Sequence, residues 1–90
     1  MKQKIFSVYD SKVNSYLNPF LTNHAGNALR DFERVANDPQ TQIGQFPADF
    51  TLFEIGEFDT ETGIISNYEA KKSLGLALEF IKQEIGRAHV

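Results

Sequence analysis

Five carboxylates, Asp49, Glu54, Glu57, Asp59 and Glu61, fall in a stretch that holds no Lys or Arg between Arg34 and Lys71. Glu57, Asp59 and Glu61 alternate, so on a strand all three share a face. Carboxylate oxygens gathered in this way suit a hard cation such as calcium or magnesium. The run lacks the spacing of a calcium loop, however, and Gly63 is misplaced for one. A solvated hairpin edge, charged against edge-to-edge pairing, is the simpler expectation, and no metal ligand is assigned. His24 and His89 are the two histidines. A general base needs a partner and a cleft. His24 stands at a predicted helix start beside Thr22 and Asn23, which suits capping, and His89 lies in the last residues. Ser7, Ser11, Ser15, Ser66 and Ser73 have no nucleophile-elbow context. There is no Walker loop, dinucleotide fingerprint or zinc spacing. The expectation is a protein without catalytic residues or cofactor.

The cations read differently. Lys2, Lys4 and Lys12 surround a first strand that carries Phe6 and Tyr9, with Tyr16 and Phe20 close by. Arg30 and Arg34 are four apart, so on a helix they share one face. Lys71 and Lys72 precede a second predicted helix, where their charge opposes the local dipole. Aromatic faces for bases beside cations for phosphates are what single-stranded nucleic acid requires. The tentative DNA contacts are therefore Lys2, Lys4, Lys12, Arg30, Arg34, Lys71, Lys72, Tyr9 and Tyr16. Against this, so small a domain needs most of its aromatics for a core, and scattered cations decorate any surface. Nine Lys and Arg against 12 Asp and Glu leave a net charge of −3. That argues against a protein coated with DNA all over. If folding keeps the acidic hairpin apart from the basic ends, the domain is a dipole with one basic side.

These side chains depend on the elements that carry them. Lys4–Tyr9 reads as a strand, with Phe6 and Val8 on one face and Ile5, Ser7 and Tyr9 on the other. Asn18-Pro19 breaks any helix in 13–21, which is expected to be extended. Ala25–Asn37 is a predicted helix with Ala25, Ala28, Leu29, Phe32, Val35 and Ala36 in one stripe. Residues 40–49 form a polar loop. Phe50–Phe58 is a second strand, with Phe50, Leu52 and Glu54 opposite Thr51, Phe53 and Ile55. Gly56 marks a bulge that turns Phe58 inward. Residues 59–63 close a hairpin with Gly63 at a positive φ, and 64–68 return. Ser73–Ile85 is predicted as a second helix, buried through Leu74, Ala77, Leu78, Ile81 and Ile85, with Gly86 after its end. The expected fold is α+β, a small mainly antiparallel sheet with two helices on one face. One domain over 1–86 and a flexible tail over 87–90 complete the expectation.

The 90 residues suffice for one domain and include no Cys, which excludes a disulfide scaffold and a thiol nucleophile. No apolar run approaches the ~18 residues of a membrane span, and no signal peptide is evident. A host bacterial cytoplasm is the expected location, with no membrane partner.

The opening MKQKIFSVYDSK resembles that of the small non-structural protein of gokushovirus-type microviruses, bacteriophages with circular single-stranded DNA. The similarity continues through Pro19-Phe20, Ala28-Leu29-Arg30-Asp31-Phe32 and Asn37-Asp38-Pro39. It is strongest over FPADFTLFEIGEFD, residues 46–59, and ends near Ser73-Leu74-Gly75. The resemblance implies a DNA-associated accessory of viral genome replication. It supplies no catalytic residues and no mapped DNA contacts. The segment from Lys82 to Val90 exceeds what the family leads one to expect.

Two roles of different kinds remain open on the sequence. One is a non-catalytic protein that binds viral DNA, single-stranded by preference, and forms a homodimer. The other is an interaction module that engages a viral or host replication protein through the acidic hairpin and the 40–49 loop.

Overall fold

The computed structural model describes residues 1–82. Five strands form one sheet: β1 (Lys2–Asp10), β2 (Ser15–Tyr16), β3 (Phe20–Thr22), β4 (Phe50–Asp59) and β5 (Ile65–Leu76). Helix α1 spans Ala25–Ala36 and the short α2 spans Gln42–Gln45. Every pairing is antiparallel. The order is β2-β1-β4-β5, and β3 joins β2 on the outer edge of β1. The α+β class and the antiparallel sheet expected from the pattern are therefore present.

The alternation in β1 and β4 divides side chains as expected. Phe6, Val8, Phe50 and Leu52 point to one face and pack with Ala28, Phe32 and Ala36 of α1. The two buried alanines let the helix backbone approach the sheet closely. Phe20, Leu74 and Phe80 close the margins of this core. Ser7, Tyr9, Thr51 and Phe53 point to the opposite face, against which no helix packs among the described residues.

Some details differ from the expectation. At the N-cap of α1, His24 makes no side-chain capping bond. Thr22 instead accepts from the Asn27 side chain at 3.1 Å. The polar 40–49 loop is structured: Thr41 caps α2 by accepting from the Gly44 N–H at 2.9 Å, and Pro47–Asp49 makes a 3-10 turn. The bulge beside Gly56 is present, because Ile5 faces Gly56 while Phe6 faces Glu54. Its effect is the reverse of the one expected. Phe58 falls opposite Gln3, on the face away from the helix, and Glu57 is carried to the helix side.

The largest correction concerns Ser73–Ile85. Among the described residues no α-helix starts there: β5 continues to Leu76, and only Ala77–Phe80 coils, as a 3-10 turn. The reason is tertiary. β4 lies inside the sheet, and its second edge needs a full-length partner for its N–H and C=O groups. That demand overrides a helical spacing of apolar residues. Lys71 and Lys72 consequently sit on a strand, and the dipole conflict expected of them does not arise. Residues 83–90, which include the expected Gly86 cap and the tail over 87–90, lie outside the described residues.

Gly75 lies at a second irregularity of the ladder, where β5 advances two residues between its pairings with Phe53 and Leu52. Its φ is +140°, and an added Cβ would stand 2.8 Å from a Phe80 ring carbon. Gly26, inside α1, has nothing within 4 Å of the same position. Gly75→Ala is expected to cost about 1–3 kcal/mol, and Gly26→Ala to add up to ~1 kcal/mol through helix propensity. Urea midpoints moving in opposite directions at constant m value are the check.

Candidate nucleic-acid interface

The open face of the sheet carries a cluster of aromatics that the core does not use. Tyr9 and Tyr16 are register partners on β1 and β2, with ring centroids 4.8 Å apart. Phe53 on β4 meets Tyr16 edge-on at 5.9 Å. Lys71 of β5 places its Nζ 5.8 Å from the Tyr16 ring centre. Contributions from four strands thus converge on one patch, and Tyr16 remains 44% exposed. The turn between β1 and β2 fixes its edge. Asn14 adopts φ 56° and accepts the Tyr9 hydroxyl proton on Oδ1 at 2.9 Å. Asn is among the few residues that tolerate this left-handed geometry. The cluster therefore offers ring faces beside a mobile ammonium, held by backbone pairing rather than by loops.

The other candidate cations are placed elsewhere. Lys2 and Lys4 face Asp59 and Glu57 across the β1–β4 ladder. Lys4 Nζ lies 3.4 Å from Glu54 and 4.0 Å from Glu57, and Lys2 Nζ lies 3.9 Å from Glu57. The N-terminal ammonium sits 3.4 Å from Glu61. The expected segregation of basic end and acidic hairpin is thus overturned: the fold interleaves them. Asp59 is held below the usual carboxylate range, first by the N–H of Glu61 and further by the N-terminal ammonium and Lys2. Among the described residues, no three His, Asp or Glu are grouped as metal ligands.

Lys12 stands at the β1–β2 turn beside a small cleft that Asp10 and Phe46 also line. Arg30 and Arg34 lie on α1, on the opposite side of the sheet from Tyr16. They border a cleft of about 310 Å³ with Asn37 and Lys82. Arg34 pairs with Asp31 at 3.3 Å and Lys82 with Glu33 at 3.8 Å. Of the sequence candidates, the structure therefore brings together Tyr9, Tyr16 and Lys71, and it separates Lys2, Lys4, Lys12, Arg30, Arg34 and Lys72 from them.

Lys72 points to the helix side, its Nζ 5.1 Å from the ring centre of Tyr68. The Tyr68 hydroxyl donates a short hydrogen bond to Glu54, a carboxylate that is only 4% exposed and also meets Lys4. Phe53, Asn14, Glu54 and Tyr68 are the contributors that the sequence reading passed over. Phe53 was recoverable from its phase, since it shares the non-core face of two adjacent strands with Tyr9. Tyr68 was not, because its partner depends on an irregular register.

The fold is that of a small α+β domain with an aromatic cluster on the open face of its sheet. The comparisons place it among phage proteins: a family model described as Phage ORF5 protein matches residues 3–80, and the chain belongs to that family. No curated protein and no solved structure matches it. Among the described residues no helix is long and apolar enough to cross a membrane.

Loss of water around Tyr68, the bond to Glu54 and the charges of Glu54 and Glu57 push its pKa up to about 12. Burial and a neighbouring anion both favour the neutral phenol. Its folded pKa lies above its usual value of 10.0. The stability it contributes is therefore fully present below about pH 10 and is lost as pH rises towards 12. Ultraviolet titration of tyrosinate is expected to show a step near pH 12 that Tyr68→Phe removes.

Proposed function

We propose that this phage protein is a non-catalytic, single-strand-preferring DNA-binding accessory of viral genome replication, working in the host bacterial cytoplasm. One observation carries the reading: Tyr9, Tyr16 and Phe53 form an aromatic cluster on the open face, half-buried except for the exposed Tyr16, with Lys71 beside it. Stacking on aromatic rings holds bases without regard to sequence, and a neighbouring cation meets the phosphates. In duplex DNA the base faces are already stacked, so such a platform favours single strands. The resemblance to the gokushovirus-type non-structural protein points the same way.

A protein-interaction role through the acidic hairpin has less support. Glu54, Glu57 and Glu61 are already engaged by Lys4, Lys2 and the N-terminus, which leaves less charge for a basic partner. A homodimer suits the proposal, since two platforms on one strand raise the effective affinity.

Fluorescence anisotropy with a labelled oligothymidylate at low salt tests the proposal. Tyr16→Ala is expected to weaken binding by about 1–3 kcal/mol, the usual worth of one stacked base. Lys71→Ala is expected to flatten the dependence of log K on log salt by about 0.7, one phosphate contact on a single strand. The double replacement Arg30→Ala with Arg34→Ala is expected to leave most of the affinity in place. Equal affinity for duplex and single strand, or an indifferent Tyr16→Ala, overturns the reading.

A further inference from the structure

The β4–β5 ladder does not run evenly. Between the pairs Glu54–Lys72 and Gly56–Asn67, β4 advances two residues and β5 five. The surplus backbone, Tyr68 to Lys71, has no register partner on β4. A bulge of this size on an edge strand is left to find its position from side chains. Three contacts define that position. Tyr68 donates its hydroxyl proton to the buried Glu54 on the helix side, and Lys72 covers the Tyr68 ring there. Lys71 lies over Tyr16 on the open side.

These contacts differ in strength. The exposed lysine–ring contacts are weak. The bond to Glu54 is charge-assisted and its acceptor is buried, which makes it the strong one. Lys4, 3.4 Å away, pairs with the same carboxylate. Glu57, also on the helix side, adds negative charge that keeps the phenol neutral and donating.

We propose that Tyr68 is the positioning residue of the DNA platform: its bond to Glu54 through the sheet edge fixes the bulge that sets Lys71 over Tyr16. The inference rests on the proposed platform, yet Tyr68 itself lies on the other face and touches no DNA. The sheet edge thus couples a buried ion cluster on one face to a binding cation on the other.

The test compares wild type, Tyr68→Phe, Lys71→Ala and the double variant by oligothymidylate anisotropy across a salt series, with urea midpoints to confirm folding. Amide exchange of residues 68–71 is measured in parallel. Tyr68→Phe is expected to reproduce the flatter salt dependence of Lys71→Ala, to add nothing in the double variant, and to speed exchange across the bulge. Glu54→Gln, which keeps an oxygen acceptor for the hydroxyl, is expected to retain more of the Lys71 contribution than Tyr68→Phe does. Additive effects, or a Tyr68→Phe protein with wild-type salt dependence beside a weakened Lys71→Ala, overturn the positioning role and leave the platform standing. If Lys71→Ala binds as wild type, the cation's part in the platform falls instead. Exchange then decides the tether: faster exchange in Tyr68→Phe supports it, and unchanged exchange refutes it.

Discussion

The fold depends on β4 being paired along both edges at once. β1 covers one edge from Asp59 to Phe50, and β5 covers the other. A strand in this position has no free N–H or C=O to leave to solvent, so both neighbours must be long. Its alternation then sorts the molecule. Phe50 and Leu52 go to α1 and the core, while Thr51 and Phe53 go to the open face. The platform therefore consists of side chains that the core leaves over on β1, β4 and β5, with β2 adding Tyr16.

Much of this was legible in the residues. The period-two pattern of β1 and β4 and the helical stripe of α1 are local signals, and the structure follows them. The faces of Tyr9 and Phe53 were legible for the same reason. What failed was non-local. Leu74, Ala77, Leu78 and Ile81 have helical spacing, yet β4's open edge recruits residues 73–76 as strand. Lys2 and Lys4 looked free because sequence separation hides their registry with Asp59 and Glu57, more than fifty positions away. Tyr68 gave no signal, since its role follows from a mismatch in strand length that only the pairing reveals.

Irregularities in the sheet also explain how a buried carboxylate is tolerated. Past the edge of the apolar core, the bulge beside Gly56 shifts the phase of β4, so that Glu57 joins Glu54 on the helix side. There the face carries Lys2, Lys4, Glu54 and Glu57 instead of apolar residues. An isolated buried Glu54 would cost several kcal/mol. Lys4 and the Tyr68 hydroxyl compensate it, and the outer charges stay hydrated. The sheet thereby extends beyond the reach of α1 with a charged helix-side face there.

The same arrangement gives the net charge of −3 a different meaning. The acids do not repel a polyanion evenly, because those of the hairpin are interleaved with Lys2, Lys4 and the N-terminus. Nor does the molecule gather its remaining cations: Arg30 and Arg34 lie on the helix, and Lys71 stands beside the aromatic rings. Among the described residues, a ligand at the aromatic cluster therefore meets the charge of Lys71 and the rings of Tyr9, Tyr16 and Phe53. Coulombic attraction of that size is modest and easily screened by salt, so affinity on this face has to come from stacking.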